Sequence, residues 1–218
     1  MFIDRKDGGQ KLAQALEKYK DENVIVLGIP RGGAETAYYV AKHLNSEFSL
    51  LVSRKLGHPD NPEYAFGAIA EDGSTYLNPE ATYQLTPNEM DRVIEEQKRE
   101  IQRRIQKLRK GEALPELKGK TVILVDDGIA TGATLFASIT MCKNKGAGKI
   151  IVAAPVSGRE IEQEIKQKVD EVIILEQPRF YHAVSQGYES FFNLSDDAAL
   201  GFMKKWEQEK KLIKEKVH

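Results

Sequence analysis

The sequence has little cysteine, no long apolar run and no excess of one sign of charge, and each of these absences excludes a class of protein. The chain has one cysteine, Cys142, in 218 residues, so it cannot contain an internal disulfide framework. No apolar run approaches the roughly 20 residues that a membrane-spanning helix needs. Neither sign of charge dominates, because 32 basic residues face 33 acidic ones and the net charge is -1. Bulk charge therefore gives no support for a polyanionic partner such as nucleic acid.

The start of the chain also lacks the apolar segment of a secretory signal. The opening MFIDRKDGGQ is polar, which together with the single cysteine favours a cytoplasmic protein. Apolar residues make up 41% and charged residues 30% of the chain, a globular rather than a disordered balance. We expect one α/β domain over residues 1–218, large enough to bury a core without metal or disulfide support.

Short β-rich runs alternate with helical stretches, which predicts a mainly parallel, twisted sheet of about five strands flanked by helices, with the core at about residues 24–175. The runs Val24–Ile29 and Thr121–Asp126 are nearly all apolar, as is typical of strands buried on both faces. Further strands are expected at about residues 48–54, 149–155 and 172–175, and helices at about 7–20, 33–45, 86–110, 131–146, 159–168 and in the last 20 or so.

Two segments between the buried strands carry more specific expectations. Residues 56–79 are rich in Gly, Pro, Asn and Asp, which predicts a mobile loop over Leu56–Ala65 and a hairpin that pairs Phe66–Ala70 with Thr75–Leu77. The long predicted helix that follows is highly charged, and we expect its arginines on a solvated face. These arginines are Arg99, Arg103, Arg104 and Arg109.

The segment VILVDDGIATGAT, Val122 to Thr134, places acids, glycines and hydroxyls at the end of a buried strand. Asp126 and Asp127 can accept hydrogen bonds from vicinal sugar hydroxyls. The helix that follows begins with unpaired backbone N–H groups and the positive end of its dipole, which suits a phosphate. Glycines allow close approach of backbone to ligand, and threonines add donors. The pattern predicts a ribose 5-phosphate site; the alternative is a strand–turn–helix unit with an acidic cap.

This segment resembles the ribose-phosphate signature of type I phosphoribosyltransferases, in which a hydrophobic run, two acids and a short loop precede Thr-Gly-x-Thr. The resemblance implies a type I phosphoribosyltransferase-like fold and a site for phosphoribosyl pyrophosphate (PRPP). It implies that Asp126 and Asp127 bind the ribose hydroxyls. The 5′-phosphate would then bind the loop made of Ala130, Thr131, Gly132, Ala133 and Thr134, and Gly128, at the turn before this loop, would also be a substrate-binding residue.

A second glycine-rich loop, Gly28-Ile29-Pro30-Arg31-Gly32-Gly33, follows the first buried strand. It is similar to the family's pyrophosphate loop. The resemblance implies that Arg31 and the amides of Gly32 and Gly33 bind pyrophosphate, and that a cis peptide lies near Pro30–Gly32. The alternative is an ordinary strand-to-helix turn.

Lys55 completes the predicted catalytic set, which is Arg31, Lys55, Asp126 and Asp127. In similar enzymes a cation at the end of the second strand faces the pyrophosphate, and alternation along the strand turns Arg54 the other way. The loop Leu56–Ala65 would then be a lid that excludes water from the reacting centre.

The acceptor is expected at a small hood outside the core, residues 177–192. Its aromatic residues either form a stacking surface or pin the C-terminal segment to the core, and the sequence leaves both open. Hypoxanthine-guanine-type enzymes carry Asp where this chain has Ala130, which weighs against a 6-oxopurine acceptor. The chain also resembles small bacterial and archaeal phosphoribosyltransferase-like proteins with an F-x-DR opening, here Phe2-Ile3-Asp4-Arg5.

The resemblance implies transfer of phosphoribosyl from PRPP to a nitrogen acceptor, a nucleobase, with release of pyrophosphate. Mg²⁺ would bridge substrate oxygens and need few protein ligands; the sequence offers no dedicated metal cluster. We expect a homodimer, with neither nucleic acid nor a membrane as partner. The alternative is a regulatory protein that senses PRPP or a nucleotide without turnover; Arg31, Lys55 and the long lid favour the enzyme.

Overall fold

The fold is built on a five-stranded parallel sheet. The computed structural model describes residues 1–83 and 85–216. Its strands are β1 Val24–Gly28, β2 Glu47–Leu50, β3 Ser53–His58, β4 Asn61–Ala70, β5 Thr75–Leu77, β6 Thr121–Val125, β7 Lys149–Val156 and β8 Glu171–Glu176. Its α-helices are α1 Arg5–Ala15, α2 Gly32–Leu44, α3 Pro79–Thr82, α4 Pro87–Arg109, α5 Ala133–Asn144, α6 Arg159–Lys166 and α7 Asp196–Lys216. The main sheet has the order β2-β1-β6-β7-β8, which confirms the predicted fold class.

The order of the strands reverses between β1 and β6. The chain leaves β1 through α2 toward β2 at one edge, whereas β6 leads through α5 to β7 on the other side. Gly28, the last residue of β1, lies opposite Val125, the last residue of β6. Ligands of open parallel sheets bind at such a switch point, outside the carboxyl ends of the strands.

Alternate residues of the central strands supply two hydrophobic cores. Val26 faces one core, which α1, α2, α4 and α7 cover with residues such as Val40 and Ile101. Ile25 and Leu27 face the other core, which α5 and α6 cover. Burial of the sheet on both faces explains why these strands are continuous apolar runs. None of the helices within the described residues is both long and apolar enough to cross a membrane.

A small antiparallel sheet of β3, β4 and β5 is attached to the parallel sheet. The predicted hairpin is confirmed, because Gly67 pairs with Leu77 and Ile69 with Thr75. The prediction of a loop over Leu56–Ala65 is wrong: this segment belongs to β3 and β4, which pair as far as His58 and Asn61 despite register shifts near Gly57. The predicted strand at residues 48–54 is also two strands, β2 and β3, which belong to different sheets.

Helix α4 joins the two sheets. It begins at a capping box in which the Thr86 N–H donates to Glu89 Oε2 at 2.8 Å. The expected solvated arginine face is wrong for two residues, because Arg104 and Arg109 are only 8% and 6% exposed. Arg109 Nη2 lies 2.6 Å from Glu71 Oε1, and its Nη1 donates to the Leu50 carbonyl at 3.0 Å. A buried ion pair therefore ties α4 to β2 and to the turn after β4.

Replacement of Arg109 tests this link. Arg109→Met should lower the free energy of unfolding by about 3–5 kcal/mol, because it leaves the carboxylate of Glu71 buried without its cation. Urea denaturation measures the effect. Arg103→Met in the same helix is the matched control: the Arg103 side chain is 51% exposed, so solvent screens its ion pair and stability should change little. Equal stability of the two variants would contradict the assigned role of Arg109.

Candidate functional site

The two glycine-rich loops meet at the carboxyl ends of β1 and β6. The Ile29 N–H donates to the Val125 carbonyl at 2.9 Å. A Cβ at Gly33 would lie 2.8 Å from that same carbonyl oxygen and 2.9 Å from Asp126 Oδ1, and a Cβ at Gly32 would overlap the Asp127 carboxylate. Glycine at both positions lets the start of α2 approach the acids. The predicted pyrophosphate loop and the predicted ribose loop thus form one site.

Arg31 lies next to the place where the two loops meet. It is the residue immediately before α2, its side chain is exposed, and the peptide bond between Pro30 and Arg31 is cis. The cis peptide expected from the family resemblance is therefore present. An exposed guanidinium at a helix start is suited to binding an anion that also accepts from the helix amides.

Asp126 and Asp127 have different environments. Asp126 Oδ1 accepts the Asp127 N–H at 2.9 Å, and loss of hydration, followed by the charge of Asp127, raises the pKa of Asp126 well above its usual value. The side chain of Asp127 is buried, and its Oδ2 accepts from Arg5 Nε at 2.7 Å. The Tyr188 hydroxyl donates to the main-chain carbonyl of Asp127. The acid pair is therefore fixed by two residues that were not among the predicted site residues.

Arg5 is the principal site residue that sequence reasoning missed. Its position in the F-x-DR opening was noted, but 122 positions separate it from Asp127. Glu35, in the first turn of α2, was missed as well. Burial raises the pKa of Glu35, the charge of Arg5 opposes this increase, and the charge of Asp127 adds to it. The sequence contains no local signal for this charge cluster.

The predicted phosphate loop runs from Ala130 into α5. Ala130 and Thr131 are exposed, and Gly132 precedes the helix with a φ of 70°. Gly132 has no side chain to cap α5, so the first amides of the helix stay free to bind an anion. Thr134, two residues after Gly132, is half-buried. The exposed loop and the uncapped helix start are suited to binding an anion such as phosphate.

The two cations of β3 differ in their surroundings. The Lys55 side chain is exposed, whereas Arg54 is half-buried and its Nε donates to Gln97 at 3.0 Å. Burial, followed by the charges of Arg104 and Arg31, lowers the pKa of Arg54. Arg54 is therefore close enough to Arg31 for the charge of Arg31 to affect the pKa of Arg54. Both cations were expected at the end of the second strand of the parallel sheet, but the structure places them in β3 of the antiparallel sheet.

The hood combines the two arrangements that the sequence left open. Tyr188 and Phe191 stack with ring centroids 5.2 Å apart, and Tyr188 packs 5.7 Å from Phe2, so these residues pin the segment to the core. Phe180 is 78% exposed instead. Between the hood, Ala130 and the start of α6 lies a cavity of about 640 Å³. Tyr181 lines it, and its buried hydroxyl has no hydrogen-bond partner among the described residues.

Magnesium is the metal that the resemblance implies, and the donors at the site fit only an ion carried by a substrate. Within the described residues, no group of three or more His, Cys, Asp or Glu is placed to hold a metal. Asp127 Oδ2 is engaged by Arg5, and Asp126 Oδ1 accepts a backbone N–H. Oxygens of a phosphorylated ligand and water would have to supply most of the coordination that Mg²⁺ demands.

Comparison with known proteins finds relatives over most of the chain. The model of the family described as "Phosphoribosyl transferase domain" matches residues 5–188. A Mycobacterium tuberculosis protein (strain CDC 1551 / Oshkosh) named "Putative phosphoribosyl transferase MT0597" is 42% identical over 205 residues, which are 93% of this chain and 46% of that protein. The chain thus spans about half the length of the curated relatives it matches. The crystal structure of TT1426 from Thermus thermophilus is 34% identical, with a TM-score of 0.79, over 94% of this chain and 98% of its own.

The contact between Gly32 and Asp127 is testable by adding one methyl group. Gly32→Ala should lower the free energy of unfolding by about 1–3 kcal/mol, because the new Cβ would overlap a carboxylate that Arg5 holds in place. Gly201→Ala is the control, since no atom lies within 4 Å of its added Cβ in α7, and it should raise stability by up to about 1 kcal/mol. Urea denaturation of both variants measures these changes. An unchanged midpoint for Gly32→Ala would refute the close approach of Gly32 to Asp127.

Proposed function

The chain belongs to the phosphoribosyl transferase family, and from that premise we propose that it transfers the 5-phosphoribosyl group of PRPP to a nitrogen acceptor and releases pyrophosphate. The observation that carries this proposal is the meeting of the two loops at the switch point of the sheet. Backbone hydrogen bonding between Ile29 and Val125 holds them together. One site can therefore engage the ribose phosphate and the pyrophosphate of the same molecule.

The ribose 5-phosphate half of PRPP is assigned to β6 and α5. Asp126 and Asp127 accept hydrogen bonds from the 2′ and 3′ hydroxyls, since carboxylates form strong hydrogen bonds with hydroxyl donors. The 5′-phosphate accepts from the amides at the start of α5, with hydroxyl donors from Thr131 and Thr134. The uncapped start of α5, just after Gly132, supports this assignment.

The pyrophosphate half is assigned to the loop after β1 and to β3. Arg31 and the amides of Gly32 and Gly33 bind the pyrophosphate oxygens, and Lys55 contacts them from the antiparallel hairpin. When bound to the oxygens of PRPP, Mg²⁺ supplies positive charge that stabilises the leaving group. The exposed guanidinium of Arg31, immediately before α2, supports this assignment, because an anion there can also accept from the first amides of the helix.

The reaction exchanges one bond at C1 of the ribose. The bond between C1 and the pyrophosphate oxygen breaks, and that oxygen keeps the electron pair. The acceptor nitrogen forms the new bond with its lone pair and then loses its proton. The protein contributes orientation and stabilises the departing charge through Arg31 and Lys55. The β3–β4 hairpin, Ser53–Ala70, excludes water from the electron-poor C1.

The acceptor is assigned to the cavity beneath the hood. It lies next to Ala130, at the beginning of the phosphate loop, so an acceptor there would be adjacent to the ribose. The exposed ring of Phe180 and the ring of Tyr181 offer a stacking surface, which suits a nucleobase. The absence of an acid at Ala130 continues to weigh against a 6-oxopurine. We further propose a homodimer that acts in cytoplasmic nucleotide metabolism.

Calorimetric titration of PRPP with Mg²⁺ tests the proposal. The wild-type protein should bind PRPP, and Asp126→Asn should bind it at least about tenfold more weakly, because an amide accepts hydroxyl hydrogen bonds less strongly than a carboxylate does. Asp72→Asn, in the exposed turn beside the far end of α5, is the control and should bind normally. Equal affinity of Asp126→Asn and the wild type would remove the sugar-hydroxyl assignment.

Purine and pyrimidine bases are then screened for release of pyrophosphate. Release with one base establishes the transferase and identifies the acceptor. PRPP binding without release from any base would favour the second candidate, a protein that senses PRPP. Absence of PRPP binding would refute the assignment of Val122–Thr134.

Lys55→Ala separates catalysis from binding. It should lower kcat by about 10- to 100-fold and leave the Kd of PRPP within about threefold, because the charge it stabilises develops as the leaving group departs. Lys118→Ala removes an equally exposed lysine just before β6, at the opposite end of the sheet, and should leave both constants unchanged. A loss confined to PRPP affinity would show that Lys55 binds the ground state only.

A further inference from the structure

The N-terminal segment is part of the wall of the site. The Phe2 N–H donates to the Gly187 carbonyl at 2.8 Å, and the Glu189 N–H donates back to the Phe2 carbonyl at 2.8 Å. Phe2 itself is 2% exposed. The first residues and the hood thus form one unit, and α1 begins at Arg5 directly beside the acid pair.

The guanidinium of Arg5 has three separate contacts. Its Nε donates to Asp127 Oδ2 at 2.7 Å, its Nη1 donates to the Phe192 carbonyl at 2.6 Å, and its central carbon lies 3.9 Å from the centroid of the Phe191 ring. Arg5 is only 6% exposed. Three contacts of this kind hold a planar group in one orientation.

The groups around the acid pair are mostly acidic. Asp126 adjoins Asp127, and the charges of both acids act on Tyr181 and Tyr188 in the hood. The charges of Asp4, Lys205 and Asp127 act on Glu35 in α2. Burial and then the charge of Asp127 raise the pKa of Asp126, and Arg5 is the cation that opposes this increase. Loss of that cation would promote protonation of Asp126, and a protonated carboxyl is a weaker acceptor for hydroxyl donors.

We propose that Arg5 is a positioning residue for ribose recognition: it fixes Asp127 through Oδ2, leaves Oδ1 directed to ligand hydroxyls, and places a positive charge beside the acid pair. Within the described residues, Oδ1 of Asp127 has no protein donor. The inference rests on the proposed function, because it assumes that the acids bind ribose. It also explains why the opening F-x-DR segment and the hood pack against each other: together they fix Arg5 over Asp127.

The test compares two ligands in binding titrations of the full chain between about pH 5.5 and 8.5. Ribose 5-phosphate reaches the acid pair, whereas inorganic pyrophosphate binds the loop at Arg31 and does not. On lowering the pH, ribose 5-phosphate affinity should fall in an acid limb of the pH profile. In Arg5→Gln the midpoint of this limb should lie about one pH unit higher than in the wild type, which gives about tenfold weaker binding within the limb. The sign follows because binding needs ionised acids, and loss of a nearby cation favours the protonated form. Pyrophosphate affinity should be unchanged.

Two further variants keep the test decisive. Arg109→Gln breaks an equally buried arginine–carboxylate pair outside the candidate site and should leave both pH profiles unchanged. Arg5→Lys retains the charge but not the planar fork, so the acid limb should stay near its wild-type position while ribose 5-phosphate binds about threefold more weakly. If Arg5→Gln does not fold, Arg5→Lys provides the test: it should weaken the binding of ribose 5-phosphate and leave the binding of pyrophosphate unchanged.

The outcomes are distinguishable. A wild-type protein that binds ribose 5-phosphate, with an unshifted acid limb in Arg5→Gln, would overturn the role of Arg5 alone. Equal weakening of both ligands in the Arg5 variants would show a structural role and overturn it as well. A wild-type protein that binds neither ligand would overturn the proposed function and this inference with it.

Discussion

The pairing of β1 with β6 is the constraint on which the site depends. Their register sets Gly28 opposite Val125, so both strands end at the same level and the loops that follow must share the same space. Because Gly32 has no side chain, the start of α2 can approach the carboxylate of Asp127 so closely that a Cβ there would overlap it. A helix start and an acid pair are thereby brought together by backbone geometry, before any ligand is present. This is a rigid arrangement, since both strands are buried on both faces.

Asp126 is half-buried and the adjacent Asp127 is buried, so the pair needs a compensating cation, which the fold supplies from a distant part of the chain. Arg5 reaches Asp127 because the N-terminal segment hydrogen-bonds to the hood, which places the first residue of α1 beside the acid pair. The same need for pairing recurs at Arg109, which neutralises Glu71. Buried ion pairs contribute little net stability relative to apolar contacts, but loss of one partner is strongly destabilising. They therefore fix positions more than they add stability, and at Asp127 the fixed position coincides with the site.

Local features of this protein were predictable from its sequence, and distant pairings were not. The buried strands, both glycine-rich loops and the β4–β5 hairpin follow from runs of apolar residues and from turn residues that lie within a few positions of each other. The pairing of β3 with β4 was missed because the segment is rich in turn-forming residues and its strand character comes from its partner. Burial of Arg104 and Arg109 was missed for a similar reason: a charged helix predicts a solvated face unless a distant acid such as Glu71 is known to approach it.

The two parts of the proposed site, the strand ends with their loops and the hood, depend on the core to different degrees. Groups assigned to PRPP lie on the ends of buried parallel strands and on the first turns of α2 and α5, where the core fixes their positions. The groups assigned to the acceptor lie in the hood, where Tyr188 is held against Phe2 but Phe180 remains exposed. A substitution in the hood can therefore change the cavity without disturbing the parallel sheet. On the proposed assignment, the core would determine the binding of PRPP, whereas the identity of the acceptor would depend on a few hood side chains that the core does not constrain.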